Sequence, residues 1–219
     1  MVAARTLIFD LDGTLADTVP DLAASLNRVL WQRELPPFTR AEVAAMVGDG
    51  AAALVNRAFA ARARPQDPEA LSDFLADYGA NFACETRAYP GVDAALRRLC
   101  AAGWRLAVCT NKPEAPAHDL LAALGIDCYF AAVGGGDSFP ARKPDPAHLL
   151  ATIAAAGGTP RRALMAGDHC NDVSAAAGAG IPCIFAAWGY GARSMAAGAA
   201  ATAAAFAELP DLAEGLLPP

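Results

Sequence analysis

Hydrophobic positions divide the chain into stretches of different periodicity. An unbroken apolar run from Leu7 to Phe9 predicts a buried β-strand near the start. The stretch that follows, up to Cys84, has apolar residues at helical spacing and no convincing strand pattern. From Tyr89 onward, strand-like runs alternate with helical patterns. Such alternation is typical of a doubly wound, Rossmann-like parallel sheet, so residues 1–17 and 85–219 predict an α/β core.

Residues 18–84 predict a helical unit inserted after the first strand. Asp21 to Leu35 carries apolar residues on one helical face, and Thr39 with Glu42 matches a capping box that starts the next helix. Prolines separate these helices, at positions 36, 37, 65 and 68. Because ligands of parallel sheets bind at the carboxyl ends of the strands, an insert at this point predicts a cap over an active site.

The later part of the chain predicts a regular succession of elements. Helices are expected over 91–102, 114–124, 146–156 and 171–179, and strands over 104–110, 129–133, 162–167 and 182–186. The alanine-rich tract 195–205 predicts a loop with room for one last strand.

Two carboxylates end the first apolar run. Asp10 and Asp12 are two residues apart, so they point to the same side of an extended chain, and Gly13 permits a sharp turn after them. Neighbouring carboxylates repel each other unless a cation lies between them. The pair therefore indicates a bound divalent metal, acid/base chemistry, or both.

Polar residues also follow three later strands. They are Thr110 with Asn111, Lys143, and Asp168 with Asp172. In a parallel sheet these strand ends meet at one edge. Each residue alone is an ordinary helix cap or surface charge, but together they supply a nucleophile, metal ligands, hydrogen-bond donors and a cation, as phosphoryl transfer requires.

These motifs resemble the haloacid dehalogenase superfamily of phosphohydrolases. DLDGTLAD, the Thr110 motif, the Lys143 motif and GDHCND occur in that family's order over nearly the whole chain. The resemblance implies that Asp10 attacks phosphorus to form an aspartyl-phosphate and that Asp12 acts as general acid and then base. It implies that Thr110, Asn111 and Lys143 hold the phosphoryl group.

The resemblance also implies a magnesium site. Mg²⁺ would be held by Asp10, the main-chain carbonyl of Asp12 and Asp168, with Asp172 in direct or water-mediated support. His169 and Cys170 stand where the family usually has a small hydroxyl residue, and we expect this to be a tolerated loop substitution.

The insert resembles that of the phosphoglycolate phosphatases within this superfamily. Gly48 and Gly50 precede a helix whose amides could face a small anion, and Arg57 is a candidate partner for a substrate carboxylate. A plain helix–helix turn with a surface arginine explains the same residues almost equally well. The expected reaction is Mg²⁺-dependent hydrolysis of 2-phosphoglycolate to glycolate and phosphate.

Other activities share the same core residues. Pyrophosphate or a sugar phosphate could be the substrate of a phosphatase or mutase built on this site. A dehalogenase would not need Asp12, and a phosphonatase would need a cap lysine, which residues 19–83 lack. A signalling receiver that stores a phosphoryl group on aspartate is a different class, and the predicted cap and Asp12 argue against it.

Composition narrows the partners. The net charge of −6 argues against nucleic-acid binding. No apolar run reaches the roughly 20 residues that span a bilayer, and the start does not resemble a signal peptide, which predicts a cytoplasmic protein with no membrane partner. We expect a monomer or homodimer acting on a small molecule.

The cysteines and two of the histidines predict no site of their own. The six cysteines form no C-x-x-C pair, so neither a zinc site nor a disulfide framework is expected. Cys100, Cys109 and Cys183 are predicted to be buried thiols, and His118 and His148 are predicted to lie on helix surfaces.

Overall fold

The computed structural model describes residues 4–219 and has a parallel sheet at its centre. The strands of this sheet are β1 (Thr6–Phe9), β4 (Arg105–Cys109), β5 (Phe130–Gly134), β6 (Ala163–Gly167), β7 (Cys183–Ala186) and β8 (Ala201–Ala203). Their order is β5-β4-β1-β6-β7-β8, and each neighbouring pair runs parallel. The predicted doubly wound fold is confirmed.

Helices cover both faces of this sheet. One face carries α5 (Val92–Ala101), α6 (Glu114–Ala123) and α9 (Leu209–Leu216), and the other carries α7 (Pro146–Ala155) and α8 (Cys170–Gly178). Leu7 and Phe9 of β1 pack into the first layer, whereas Ile8 packs into the second. Because successive strand residues point to opposite faces, a strand covered on both sides needs apolar residues on both faces.

The strand order brings the predicted site residues to one edge. β1 lies between β4 and β6, and the chain builds one half of the sheet through β4 and β5 before it crosses to β6, β7 and β8. The switch in direction occurs beside β1, which is where doubly wound sheets form a ligand crevice. The segments that follow β1, β4 and β6 therefore meet at this crevice.

Residues 19–81 form a helical unit with a core of its own. It consists of α1 (Val19–Trp31), α2 (Arg40–Ala44), α3 (Ala51–Ala61) and α4 (Pro68–Asn81). Leu26, Val43 and Phe74 are buried in its apolar cluster, which is separate from the two layers around the sheet. This packing supports the prediction of a cap, and the predicted domain bounds at residues 18 and 84 stay a prediction.

The two connections to the helical unit are joined to each other. β2 (Ala16–Asp17) pairs antiparallel with β3 (Arg87–Ala88), so the chain enters and leaves the unit side by side. Asp21, in the first turn of α1, accepts hydrogen bonds from the backbone of Glu85 at 3.0 Å and Thr86 at 2.8 Å. These bonds fix the start of α1 against the returning strand.

Local sequence accounts for several helix starts. Asp67 and Asp145 each accept hydrogen bonds from first-turn amides, and a proline follows each of them in the first helical turn. The predicted capping box of Thr39 and Glu42 is present at the start of α2. A proline in the first turn costs no hydrogen bond, because the amide it lacks would have no partner within the helix.

Most predicted elements are found within a few residues of their expected bounds, and a last strand, β8, lies in the alanine-rich tract. Two predictions were wrong. Cys100 is exposed on α5, because it lies on the solvent face of a helix whose buried side is formed by Leu96 and Leu99. His148 is fully buried, because it shares the inner face of α7 with Thr152. Over residues 4–219, no helix is both long and apolar enough to cross a membrane.

Candidate active site

Asp10 and Asp12 leave the end of β1 in a tight turn beneath the helical unit. Asp10 is buried, and its Oδ1 atom accepts a hydrogen bond from the Leu11 amide at 2.7 Å and lies 2.9 Å from the Lys143 Nζ atom. Gly13 follows with a φ of 86°, and a Cβ atom there would collide with the carboxylate of Asp168. Glycine thus allows two acidic segments to approach each other closely.

Lys143 joins two of the core carboxylates. Its Nζ atom lies 2.6 Å from Asp172 Oδ1 as well as 2.9 Å from Asp10 Oδ1. Burial disfavours the charged lysine, but the two carboxylates outweigh burial and hold the pKa of Lys143 above its usual range. The buried His148 accepts a hydrogen bond from the Lys143 amide at 3.2 Å, which fixes the loop that carries the lysine.

Asp168 is fixed by donors from two other loops. Its Oδ1 atom accepts a hydrogen bond from the Thr14 hydroxyl at 2.8 Å, and its Oδ2 atom accepts bonds from the amides of Tyr190 at 2.8 Å and Gly191 at 3.3 Å. Asp172 is oriented by the His169 amide, which donates to Oδ2 at 3.0 Å. Both carboxylates are therefore held before any ligand arrives.

Asp10, Asp168 and Asp172 can point one oxygen each at a common centre. Their candidate ligand atoms lie within 4.8 Å of one another. Burial raises the pKa of Asp10 to about 6 and that of Asp168 to about 7, and the neighbouring carboxylates act in the same direction. Buried hard oxygen ligands with excess negative charge fit a magnesium ion. The side chain of Asp12 is not in this cluster, and its predicted ligand is a main-chain carbonyl.

Thr110 and Asn111 follow β4 beside this cluster. Both are buried and line the same cavity as Asp10. The Asn111 side-chain amide donates to the carbonyls of Gly48 at 2.9 Å and Lys143 at 3.0 Å. Its side chain therefore joins the helical unit to the Lys143 loop.

Lys112 is a site residue that sequence reasoning missed. Its Nζ atom donates to both carboxylate oxygens of Asp12, at 3.0 and 3.1 Å, and to the Tyr78 hydroxyl at 3.2 Å. Burial disfavours the charge, but Asp12 and Tyr78 outweigh it and keep the pKa of Lys112 above its usual range. Its place directly after Thr110 and Asn111 could have identified it, whereas its contact with Tyr78 on α4 has no local signal.

The loop between α2 and α3 brings the helical unit onto the core. Asn171 donates to Asp49 Oδ1 at 2.7 Å and to the Gly48 carbonyl at 3.3 Å. Gly48 has a φ of 126°, and a Cβ atom there would lie 2.8 Å from the ring of His169. Arg57 pairs with Asp49 and donates to the Met46 carbonyl at 2.8 Å. It is not among the residues that line the cavities beside Asp10.

His169 caps the helix that carries Asp172. Its Nδ1 atom accepts a hydrogen bond from the Asn171 amide at 3.3 Å, and burial lowers the pKa of the ring. The Cys170 sulfur lies 3.6 Å from the same nitrogen. His169 thus takes up a helix-capping role, and Cys170 is the first residue of the helix that it caps.

Two small cavities lie beside Asp10 and Asp12. The larger, of about 60 Å³, is lined by core residues, among them Thr110 and Lys112, and by side chains of the helical unit, which include Leu22, Leu54, Phe74 and Tyr78. The smaller, of about 30 Å³, is bordered by Asp168, His169 and Tyr190. Gly48 borders both cavities, so the helical unit covers the site from above.

Known proteins resemble the chain over most of its length. A family model described as haloacid dehalogenase-like hydrolase matches residues 4–180. The phosphoglycolate phosphatase of Agrobacterium fabrum is 46% identical over 188 residues, which cover 84% of this chain and 80% of that protein. That of Rhodospirillum rubrum is 44% identical over 216 residues, which cover 94% and 90%.

Solved structures agree with this relationship. The crystal structure of a predicted phosphoglycolate phosphatase from Haemophilus somnus superposes with a TM-score of 0.87 at 33% identity, covering 97% of this chain and 99% of that one. The sheet order, the carboxylate cluster at the end of β1 and β6, and the extent of the match all lead to one assignment. The chain belongs to the haloacid dehalogenase-like hydrolase family.

Proposed function

We propose that the protein is a Mg²⁺-dependent phosphomonoesterase that forms an aspartyl-phosphate on Asp10 and acts on 2-phosphoglycolate. The observation that carries the proposal is the position of Asp10. Its carboxylate contacts the ammonium group of Lys143 and forms one cluster with the carboxylates of Asp168 and Asp172, and Asp12 follows two residues further along the chain. A nucleophile, a fixed cation, metal ligands and a second carboxylate are the groups that phosphoryl transfer needs.

The metal would be held by Asp10 and Asp168, with Asp172 as a third oxygen ligand or as support through water. Held there, a magnesium ion would supply positive charge that offsets the negative charge of the phosphoryl group and the carboxylates. The fit rests on the hard oxygen donors of the cluster and on the raised pKa values of Asp10 and Asp168, since excess negative charge in a buried site favours a cation.

In the first half of the reaction, an oxygen of Asp10 attacks phosphorus while the bond from phosphorus to the ester oxygen breaks. Asp12 gives its proton to the departing alkoxide. Lys143 and the Thr110 hydroxyl hold the phosphoryl oxygens, because fixed donors stabilise charge that develops in the transition state without having to reorganise. The hydrogen bond and ion pair on Asp10 both fall on Oδ1, which leaves Oδ2 as the attacking atom.

In the second half, water attacks the phosphorus of the aspartyl-phosphate and Asp12 accepts its proton. Phosphate leaves and the Asp10 carboxylate is restored. The helical unit would open to admit substrate and close to exclude bulk water during transfer. Contacts of Asn111 and Asn171 with the loop at Gly48 and Asp49 support a closed arrangement of this kind.

The choice of 2-phosphoglycolate is supported by the names of relatives at about 45% identity and by the small size of the larger cavity. Phosphatases of one superfamily share their core residues while their caps differ. Pyrophosphate and sugar phosphates are therefore the competing substrates. A phospho-accepting signalling domain would differ in the lifetime of its phosphorylated form, which should be long.

The test is phosphate release from a panel of 2-phosphoglycolate, pyrophosphate and several sugar phosphates, with and without MgCl₂. We expect 2-phosphoglycolate to be hydrolysed fastest and EDTA to abolish turnover. Asp10→Asn should lower kcat by about 10⁴-fold or more, because an amide oxygen is a poor nucleophile. Release from no compound in the panel would refute the enzymatic proposal, and a dominant sugar phosphate would refute only the substrate.

A further inference from the structure

The chain contains two lysines, and both lie at this site. Both are buried, with exposed fractions of 7% for Lys112 and 3% for Lys143. Every other Lys or Arg position in the chain is an arginine. A lysine ammonium is a compact point charge that fits a small cavity more readily than the planar guanidinium of arginine. Lys143 is engaged by the core carboxylates Asp10 and Asp172. The reaction proposed above leaves Lys112 without a role.

Lys112 faces the cavity that lies between the core and the helical unit. Among the residues lining it, Lys112 is the one with a positive charge. The opposite wall is apolar and includes Leu54 and Phe74, both of which are buried. Lys112 thus lies where the polar part of the cavity, which includes Asp10, Asp12 and Thr110, meets this apolar wall. A buried cation is costly when it loses its partner, and water competes weakly for it, so it favours an anionic partner.

The same cavity is bordered by the first turn of α3. Gly50 precedes that helix with a φ of 86° and, like Gly48 and Ala51, lines the cavity. Gly50 has no side chain that could cap the first amides of α3, so they remain directed toward the end of the helix. Lys112 and this helix start both favour an anion in the part of the cavity that they line.

We propose that Lys112 is the specificity-determining residue of the enzyme and binds a second anionic group on the substrate, a carboxylate one carbon away from the ester oxygen. This inference rests on the proposed phosphatase function. The Lys112 ammonium contacts both oxygens of Asp12, the carboxylate assigned to the leaving ester oxygen. A group joined to that oxygen through one carbon therefore lies within reach of Lys112.

On binding, the substrate carboxylate takes over hydrogen bonds that Asp12 accepts in the substrate-free protein. This exchange keeps the buried ammonium paired and leaves the Asp12 oxygens available to the ester oxygen. The Tyr78 hydroxyl, 3.2 Å from the Lys112 Nζ atom, holds the lysine at the boundary with the helical unit throughout. A substrate without a second anionic group cannot replace Asp12 as the acceptor of the hydrogen bonds from Lys112.

Arg57 is the competing candidate for this role. Its guanidinium pairs with Asp49 and with the Met46 carbonyl, and it lies outside the lining of the cavity. Its side chain is 45% exposed, so an ion pair with a substrate would be weakened by water and salt. Lys112 also has partners, but it lines the cavity and is 7% exposed.

The test compares 2-phosphoglycolate with ethyl phosphate, in which a methyl group replaces the carboxylate. The ratio of the two kcat/KM values is measured with Mg²⁺ for wild type, Lys112→Met and Arg57→Met. We expect Lys112→Met to lower this ratio about 10- to 100-fold, as loss of a buried charge-assisted hydrogen bond requires. Lys112→Arg, which keeps a cation, should recover part of the ratio. Partial unfolding of a variant lowers the concentration of active enzyme equally for both substrates, so it leaves the ratio of the two kcat/KM values unaffected.

The matched control is Arg161→Met. Arg161 is exposed in the turn before β6, at the opposite end of that strand from Asp168, and its loss changes the net charge equally. In Arg161→Met, the ratio of kcat/KM for 2-phosphoglycolate to kcat/KM for ethyl phosphate should equal that of wild type. A Lys112→Met enzyme that loses activity equally on both substrates would overturn the inference, as would a ratio that depends on Arg57 instead. A wild-type ratio near one would refute the proposed substrate.

Discussion

Lys143 and Lys112 are both buried at the same edge of the sheet, yet they connect different parts of the molecule. Lys143 pairs with Asp10 and Asp172, which belong to the α/β core. Lys112 pairs with Asp12 of the core and contacts Tyr78 of the helical unit. One half of the site is therefore built within the core, and the other half includes a contact with the helical unit. We expect the first half to carry the reaction and the second to select the substrate.

Removing Lys143 should have the largest effect. In Lys143→Met, Asp10 and Asp172 lose the cation between them while they remain buried. The free energy of unfolding of the metal-free protein should fall by about 3–5 kcal/mol, as is typical when one partner of a buried ion pair is removed. Loss of a fixed positive charge at the phosphoryl group should lower kcat by about 10²- to 10³-fold. Urea unfolding and phosphate release measure the two effects.

Lys112→Met is the matched variant for this comparison. Its stability loss should be smaller, because the side chain of Asp12 is 14% exposed and keeps some contact with water, whereas that of Asp172 is fully buried. Equal losses of stability in the two variants would contradict the division of the site into two halves. So would a selectivity change in Lys143→Met as large as that in Lys112→Met.

The core half also predicts how Mg²⁺ stabilises the protein at different pH. The pKa values of Asp10 and Asp168 are raised to about 6 and about 7, above the ordinary value of 3.8. Between about pH 4 and 7 the folded protein therefore binds more protons at these groups than the unfolded chain, and their contribution to stability falls as pH rises. Mg²⁺ competes with those protons, so the rise in Tm on adding MgCl₂ should be larger at pH 8 than at pH 5.

The quantity to compare is the difference in Tm between the protein with Mg²⁺ and the protein without it, because other titrating groups cancel in this difference. Burial and Lys143 lower the pKa of His148 to about 4, so its contribution to stability falls as pH drops from about 6.5 toward 4, opposite to the carboxylates. His148 is outside the metal cluster and affects both forms similarly. Asp168→Asn should remove most of the Mg²⁺ effect. An equal rise in Tm at both pH values would contradict this account of the carboxylates.

The core half could be predicted because its signals are local. A strand covered on both faces must be continuously apolar, which made Leu7 to Phe9 recognisable, and parallel strands bring their carboxyl ends to one edge. Asp10, Asp168 and Asp172 follow from that rule, and the structure brings their oxygens together. The burial of His148 has no local signal, because a histidine between alanine and leucine does not indicate which helix face is covered.

The other half depends on contacts between residues far apart in the sequence. Tyr78 and Lys112 are 34 residues apart and meet only because α4 packs over the core. Arg57 was the natural candidate for a substrate contact from its place in the insert, but its partners are Asp49 and Met46. Helical periodicity fixes which face of each cap helix is buried, and it carries no information on how the unit is placed over the sheet.

The smallest effect should come from the contacts that hold the helical unit closed. In Asn171→Ala the loop loses hydrogen bonds to Asp49 and to the Gly48 carbonyl, while Asn111 still holds Gly48. The net contribution of one hydrogen bond to stability is about 0.5–1.5 kcal/mol. We therefore expect KM for 2-phosphoglycolate to rise roughly 2- to 10-fold. The change in kcat should be smaller, since Asp10, Asp12 and Lys143 keep their partners.

Hydrogen exchange at residues 47–50 gives a second measurement for Asn171→Ala, because a loosened loop exposes its amides more often. Arg40→Ala is the control, since it removes an ion pair with Glu85 in which both side chains are 58% exposed, and such pairs contribute little. If Asn171→Ala lowered kcat a hundredfold, closure and catalysis would be inseparable. If instead it lowered the preference for 2-phosphoglycolate over ethyl phosphate as strongly as Lys112→Met, selectivity would reside in closure itself and not in the charge of Lys112.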